Sequence, residues 1–215
     1  MAFAPDYRLA PEHPFPAAPE DARTCYAGLI ELGYKKIAVT GDSAGGTLAL
    51  DLLLSLKASQ LNNQVVPVAG VALSPVTDLS LSGASWTTRA AADPYFTQPQ
   101  AAELVRSYLN GVDPNDPAAS PLRADLTGLP PIRIHVGDDE VLLDDSVRFV
   151  ERAVAAGVDA QLDVWEGMVH GFPGSVGHLS ASTQVLQKIG SFLSERFTKT
   201  TVTRQTYRKT DQEQK

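Results

Sequence analysis

The stretch KKIAVTGDSAGGTLALDLLL, residues 35–54, joins a short apolar run to a long one through a glycine-rich turn. The first run predicts a buried strand over 36–40 and the second predicts a helix over 44–58. Between them Gly-Asp-Ser-Ala-Gly fits the pattern G-x-S-x-G, with Ser43 at its centre. A serine on such a sharp strand-to-helix turn is lifted clear of the sheet, as a nucleophile requires. The alternative interpretation is a turn in which Ser43 only caps the helix.

Strand and helix patterns alternate along the rest of the chain, after a proline-rich loop over 9–20. This alternation predicts an α/β fold with a mainly parallel sheet, whose active site lies in the loops at the carboxyl ends of the strands. The further strands are predicted over 68–74, 132–136 and 160–165, and the further helices over 20–33, 99–110, 144–157 and 180–197.

The totals describe an ordinary globular chain of 215 residues, long enough for one domain, with 43% hydrophobic and 20% charged residues. A net charge of −7 argues against nonspecific binding to nucleic acid or anionic membranes. The single cysteine excludes an internal disulfide. No apolar run approaches transmembrane length, and the first residues lack the features of a signal peptide. We therefore expect a cytoplasmic location.

A nucleophilic serine needs a base, and the chain has four histidines. His170 lies in EGMVHGFPG, a glycine-flanked loop directly after a predicted strand, which is the position that a catalytic histidine requires. His135 lies inside a predicted strand and is interpreted as a packing residue. His13 falls in the proline-rich loop, and His178 precedes the last helix, where a surface position is expected.

The base needs an orienting acid, and the segment HVGDDEVLLDDS offers several carboxylates at the end of the preceding strand. Some of them are needed to cap the next helix and to interact with its dipole. The chain order serine, acid, histidine is the order of the α/β-hydrolases. The candidates are Asp138, Asp139, Glu140, Asp144 and Asp145.

At this point the chain resembles the hormone-sensitive-lipase-like (GDXG) family of α/β-hydrolases, which includes bacterial esterases. The resemblance implies Ser43 as nucleophile, His170 as base and the backbone N–H of Ala44 as an oxyanion donor. When the two later acidic residues of the family pattern are aligned with Asp144 and Asp145, the catalytic acid falls on Glu140. Asp139 is the second choice for the acid and Asp144 the third. The matching segments are DYRLAPEHPFPAAPEDA (6–22), GDSAGG (41–46), LSPVTDL (73–79), SPL (120–122), VGDDEVLLDDS (136–146) and MVHGF (168–172).

One departure from the family concerns its HGGG motif, which supplies further oxyanion donors and does not occur in these 215 residues. The resemblance therefore implies an α/β-hydrolase fold that lacks its first strands and the N-terminal part of its cap, with an unpaired edge beside the elbow strand. We expect a partial hydrolase domain over 1–197, a cap-proximal region over about 75–115, and a polar, disordered tail over 198–215. The resemblance implies a truncated chain, of which weak or no activity is expected.

The resemblance implies a serine carboxylester hydrolase that acts on short-chain acyl esters through an acyl-enzyme, with no metal or organic cofactor. The expected partner is a small-molecule ester, with no nucleic acid and no membrane span, and the open strand edge makes self-association possible. The alternative is a non-catalytic, vestigial or ligand-binding fragment, since the family includes a plant hormone receptor. An amidase or peptidase is the third choice.

Overall fold

The computed structural model describes residues 1–57 and 65–198. The predicted disordered tail lies outside these ranges, except for Thr198 at the end of the last helix. The helices are α1 (Ala17–Glu31), α2 (Ala44–Leu56), α3 (Ser85–Thr88), α4 (Gln98–Leu109), α5 (Leu143–Ala155) and α6 (Ser180–Thr198), and the strands are β1 (Val39–Asp42), β2 (Gly70–Leu73), β3 (Ile132–Gly137) and β4 (Ala160–Trp165). Short 3-10 turns occur at Pro121–Arg123 and Phe172–Gly174.

The four strands form one parallel sheet in the order β1-β2-β3-β4. This confirms the α/β fold and the parallel sheet. Because all strands run in one direction, the residues that follow each of them emerge at the same edge of the sheet. Within the described ranges β1 pairs with β2 alone, so the strand that leads into Ser43 lies at the side of the sheet.

Side chains alternate between the two faces of the sheet, as the pleat requires. On one face Ile132 and Ile134 are fully buried against Leu53 of α2 and Phe149 of α5. On the other face Val71 is buried against α6. A helical layer thus covers each face of the sheet, whose strand ends carry the candidate site.

Most predicted boundaries differ from the structure by one or two residues, and two elements begin three residues away from the predicted start. The helix predicted over 20–33 begins at Ala17. Pro19 lies in its first turn, where proline is tolerated because the N–H that it lacks would have no acceptor within the helix. The strand predicted over 36–40 instead runs from Val39 to Asp42, paired through to Leu73 of β2. The glycine before Asp42 therefore belongs to the strand, and the turn is tighter than the sequence suggested.

The region between β2 and β3 contains α3 and α4, which the sequence predicted as irregular chain and as a helix over 99–110. Trp86 of α3 and Ala101 of α4 pack with Leu81, Val141 and Leu142 in a small apolar cluster. This cluster joins the region to the loop after β3. The division into cap-proximal and sheet regions remains a prediction.

Candidate active site

Ser43 occupies the turn between β1 and α2, with φ of 55° and ψ of −121°. A positive φ is costly for a residue other than glycine and is kept only where the surroundings impose it. The surroundings here are tight, since Ser43 N–H donates to the carbonyl of Leu73 at 2.8 Å. A Cβ on Gly46 would lie only 3.2 Å from the same carbonyl oxygen. The strained backbone of Ser43, the glycines that flank it and the neighbouring strand β2 together place its hydroxyl at the end of the sheet.

Ala44 is the first residue of α2, so its N–H has no acceptor within the helix. Ala44 is exposed, and both Ala44 and Ser43 line the same pocket. A negative charge that develops next to Ser43 would meet this N–H and the positive end of the helix dipole. The position suits the oxyanion role that the sequence predicted for Ala44.

His170 follows β4 and Glu140 follows β3, and their side chains meet with Nδ1 3.0 Å from Oε2. The Glu140 side chain is fully buried and the His170 side chain is 11% exposed. An acceptor at Nδ1 fixes the tautomer that carries its proton there and leaves Nε2 free to take a proton. The pair therefore has the arrangement of an imidazole base and its orienting acid.

Three of the other four carboxylates of the acidic segment accept hydrogen bonds away from His170. Asp138 accepts the N–H of Gly167 at 2.7 Å, and Asp144 accepts the N–H of Ser85 at 3.0 Å. Asp145 is buried and accepts two backbone N–H groups of the segment after β2. Asp139 is half-buried, and its N–H donates to Met168 at 3.2 Å. Of the five candidates in the described structure, Glu140 alone hydrogen-bonds His170.

The electrostatics of the pair favour a charged imidazole. Burial lowers the pKa of His170, but the hydrogen bond and charge of Glu140, with the charges of Asp42 and Asp93, outweigh burial and raise it. Burial raises the pKa of Asp42, helped by Glu140 and opposed by His170. Several negative charges thus stabilise the imidazolium that a general base becomes after it takes a proton.

The other three histidines do not approach this pair. His135 is 2% exposed within β3, and burial lowers its pKa to about 4, so it is a neutral packing residue as predicted. His13 and His178 are both exposed. His170 is therefore the histidine that the fold brings to the strand ends beside an acid.

A pocket of about 370 Å³ opens at Ser43 and is lined largely by apolar side chains. The ring of Phe96, one of the lining residues, meets His170 edge-on with centroids 5.1 Å apart. Such a pocket can hold an apolar group beside the serine while water is kept away. Its walls include Leu79, Leu81, Trp86, Ala101, Val105, Tyr108 and Leu142.

Sequence reasoning missed three residues of this site. Ser74 donates its hydroxyl to Glu140 at 2.8 Å. Asp93 accepts the N–H groups of Tyr95 and Phe96 with Oδ1 and that of Val141 with Oδ2. Phe96 packs on His170. Ser74 falls in the LSPVTDL segment, which was noted without a role, and the other two fall in a stretch predicted only to be irregular.

The described ranges contain no helix that is long and apolar enough to cross a membrane. Over the same ranges, no three histidine, cysteine or acidic side chains are grouped so that they could hold a metal ion. No hydrogen bond joins Ser43 to His170 there, a common finding where catalytic contacts tighten only with substrate bound.

Comparison with known proteins finds relatives along most of the chain. The profile of a family described as alpha/beta hydrolase fold matches residues 1–174. An acetyl-hydrolase of Streptomyces hygroscopicus is 39% identical over 189 residues, which cover 87% of this chain and 62% of the relative. An esterase of Acinetobacter venetianus is 36% identical over 190 residues, with the same two shares.

Solved structures agree closely in backbone. The crystal structure of EstE5 gives a TM-score of 0.85 at 41% identity. An esterase from the bacterial hormone-sensitive lipase family gives 0.84 at 44% identity. Both alignments cover 89% of this chain and 64% of the solved one. The chain thus spans somewhat less than two thirds of the length of the relatives that it matches.

Proposed function

The chain belongs to the α/β-hydrolase family, in its hormone-sensitive-lipase-like branch, and we propose that it is a serine carboxylester hydrolase with the triad Ser43, His170 and Glu140. The contact of 3.0 Å between His170 and Glu140, beside the strained turn of Ser43, carries the proposal. The names of the relatives support ester hydrolysis as the reaction class.

The proposed reaction has two halves. The Ser43 oxygen attacks the ester carbonyl carbon while Nε2 of His170 takes the hydroxyl proton, and the N–H of Ala44 donates to the oxyanion. Collapse of the tetrahedral intermediate breaks the bond to the alcohol, which leaves with the proton from His170. Water then attacks the acyl-enzyme with His170 again as base, which releases the acid and restores Ser43.

Glu140 has an orienting role in this scheme. Its carboxylate holds Nδ1 of His170 and stabilises the imidazolium in each half-reaction. In this scheme Glu140 takes up no proton, because the proton moves between Ser43, His170 and the leaving group. A glutamate can serve here because the buried loop after β3 brings its carboxylate within hydrogen-bonding distance of the ring.

We propose small, mainly apolar acyl esters as substrates. The pocket at Ser43 is apolar and of modest size, about 370 Å³. It suits a short acyl or alkyl group and offers no cluster of charged side chains for a polar one. One relative is named an acetyl-hydrolase, and this name also favours short acyl groups.

Turnover by these 215 residues is expected to be low. Ala44 is the oxyanion donor that the sequence supplies in the family pattern, and the chain has no HGGG run to add others. Loss of one oxyanion donor typically costs about 10²–10³ in rate. If another polypeptide segment supplied the backbone N–H groups of such glycines, the rate would be expected to rise by that factor.

Hydrolysis of p-nitrophenyl acetate and butyrate tests the proposal. The wild-type protein should exceed background and Ser43→Ala should not, while Ser194→Ala, an exposed serine on α6, should match wild type. Phenylmethylsulfonyl fluoride should add one covalent group to the wild type, located at Ser43 by peptide mass spectrometry. Equal rates for the wild type and Ser43→Ala, with no label at Ser43, would contradict the enzyme proposal.

The second candidate is a ligand-binding protein that retains the hydrolase site. The apolar pocket of about 370 Å³ at Ser43 favours this candidate, since it can hold a small ester whether or not hydrolysis follows. In that case a short-chain ester would bind in the Ser43 pocket with measurable affinity and remain intact. Calorimetric titration with ethyl butyrate, followed by recovery of the ester, separates binding alone from hydrolysis.

A further inference from the structure

We propose that Ser74 is a positioning residue, whose hydroxyl orients the carboxylate of Glu140 towards His170. This inference rests on the proposed hydrolase function and extends it to a residue outside the triad. Ser74 is fully buried at the end of β2, the strand between the one that carries Ser43 and the one that leads to Glu140.

The two oxygens of Glu140 have different partners. Oε1 accepts the Ser74 hydroxyl at 2.8 Å and the N–H of Gly137 at 2.6 Å. Oε2 faces His170 at 3.0 Å. An ionised carboxylate can only accept, so the Ser74 proton points at Oε1. With Oε1 held by two donors, the carboxylate cannot turn its other oxygen away from the imidazole.

The backbone of Ser74 is strained in a way that serves this contact. Its φ is 41°, in the left-handed region that residues other than glycine rarely adopt. The following Pro75 also disfavours the right-handed helical conformation for Ser74. Its N–H is fixed to the carbonyl of His135 at 2.8 Å. A serine at a position where glycine would relieve the strain points to a use for its side chain.

The same short segment also holds the nucleophile. The carbonyl of Leu73, next to Ser74, accepts the N–H of Ser43 at 2.8 Å. Two residues later, Val76 exchanges two hydrogen bonds with the hydroxyl of Thr47 on α2. Residues 73–76 therefore join the turn of Ser43 to the acid, and Ser74 is the member that reaches Glu140.

Two substitutions at Ser74 distinguish the effect of its hydroxyl from the effect of its strained backbone. Ser74→Gly removes the hydroxyl and relieves the positive φ, whereas Ser74→Ala removes the hydroxyl and keeps the strain. A positioning role predicts that both lower kcat by roughly tenfold to a hundredfold, the size expected for one lost hydrogen bond to a buried charge. Both should also lower the pKa of His170, because a carboxylate free to rotate supports the imidazolium less well.

Ser120→Ala is the matched control. Ser120 is also fully buried and its hydroxyl makes two hydrogen bonds, to Pro114 and Leu79, away from the triad. It should lower the free energy of unfolding but leave kcat and the His170 titration unchanged. The groups that face His170, namely Glu140, Asp42 and Asp93, are the same in all these variants.

The experiment measures kcat against pH with p-nitrophenyl acetate, and the His170 imidazole pKa by NMR, assigned with His170→Gln. A lower kcat with a lower His170 pKa in both Ser74 variants supports the proposal. It is overturned if Ser74→Gly keeps the wild-type pKa of His170, or loses activity only in proportion to its unfolded fraction. Because the NMR titration needs no turnover, it decides the role of Ser74 even if the hydrolase proposal fails on Ser43→Ala.

Discussion

Gly41 and Gly45 approach each other so closely that a Cβ on Gly41 would lie 2.0 Å from the carbonyl oxygen of Gly45. A Cβ on Gly45, by contrast, would have no heavy atom within 4 Å. The two glycines of one motif therefore have different reasons to be there. The first permits the close approach of strand and helix that shapes the turn of Ser43, and the second faces open space.

This difference predicts opposite outcomes for two alanine variants. Gly41→Ala must displace backbone, so it should lower the free energy of unfolding by about 1–3 kcal/mol or more and remove activity. Gly45→Ala lies in the first turn of α2 and should be neutral or stabilising by up to about 1 kcal/mol. Chemical denaturation and ester hydrolysis measure both effects. Equal losses in the two variants would contradict the packing argument.

Glu140→Gln should change the pH dependence of hydrolysis as well as its rate. The base must be neutral, so kcat/KM falls as pH drops through the pKa of His170, which Glu140 raises. Without that charge the acid limb should move to lower pH, while kcat at the plateau falls by about 10²–10⁴. Stopped-time assays between pH 5 and pH 9 would record both changes.

Asp139→Asn and Asp144→Asn are the controls for Glu140. Each removes one negative charge from the same segment without touching His170. Both should retain the wild-type plateau within about twofold, apart from any loss of stability in Asp144→Asn, which frees the N–H of Ser85. A loss with Asp139→Asn as large as that with Glu140→Gln would reassign the acid.

Asp93→Ala should loosen the contact between Phe96 and His170. The carboxylate of Asp93 accepts three backbone N–H groups, so its removal leaves these donors poorly satisfied and should destabilise the fold by about 1–3 kcal/mol. It also removes a charge that raises the pKa of His170, so the acid limb should move to lower pH. Asp93→Asn separates these effects, because it keeps one acceptor oxygen and loses the charge.

Ala101→Phe should narrow the pocket at Ser43. Ala101 is 7% exposed and lines that pocket on α4. The variant should lose hexanoate hydrolysis by about tenfold more than acetate hydrolysis, since a few methylene groups in an apolar pocket are worth that much discrimination. Glu103→Phe, on an exposed part of the same helix, should leave the ratio of the two rates unchanged. An unchanged ratio in Ala101→Phe would place the acyl group elsewhere.

The mainly parallel sheet and the elements beside the candidate residues could be predicted from the sequence, because alternating strand and helix patterns can be recognised locally. Apolar runs and glycine-flanked turns marked β1 with α2, β3 with α5, and the loop of His170. Glu140 was chosen over its acidic neighbours by registration on a family pattern, and its contact with His170 agrees with that choice.

The roles of Ser74 and Asp93 could not be predicted in this way. Each depends on hydrogen bonds to residues far along the chain: Ser74 bonds to Glu140, and Asp93 bonds to Val141. Neither residue lies in a periodic pattern, and the positive φ of Ser74 depends on tertiary packing. Self-association and the disorder of the tail remain predictions.

The position of β1 at the side of the sheet affects how firmly the strand before Ser43 is held. In the described ranges this strand is hydrogen-bonded to β2 along one edge and pairs with no strand along the other. A groove of about 590 Å³ runs past Ala38 and Thr40 on that unpaired edge. Alternate residues of a parallel strand bond to opposite sides, so the N–H of Thr40 points towards that groove. In the described ranges, Ser43 therefore follows a strand that is hydrogen-bonded along one edge. Amide hydrogen exchange at Val39, whose N–H donates to the carbonyl of Ala69 at 3.1 Å, would report how readily this strand opens.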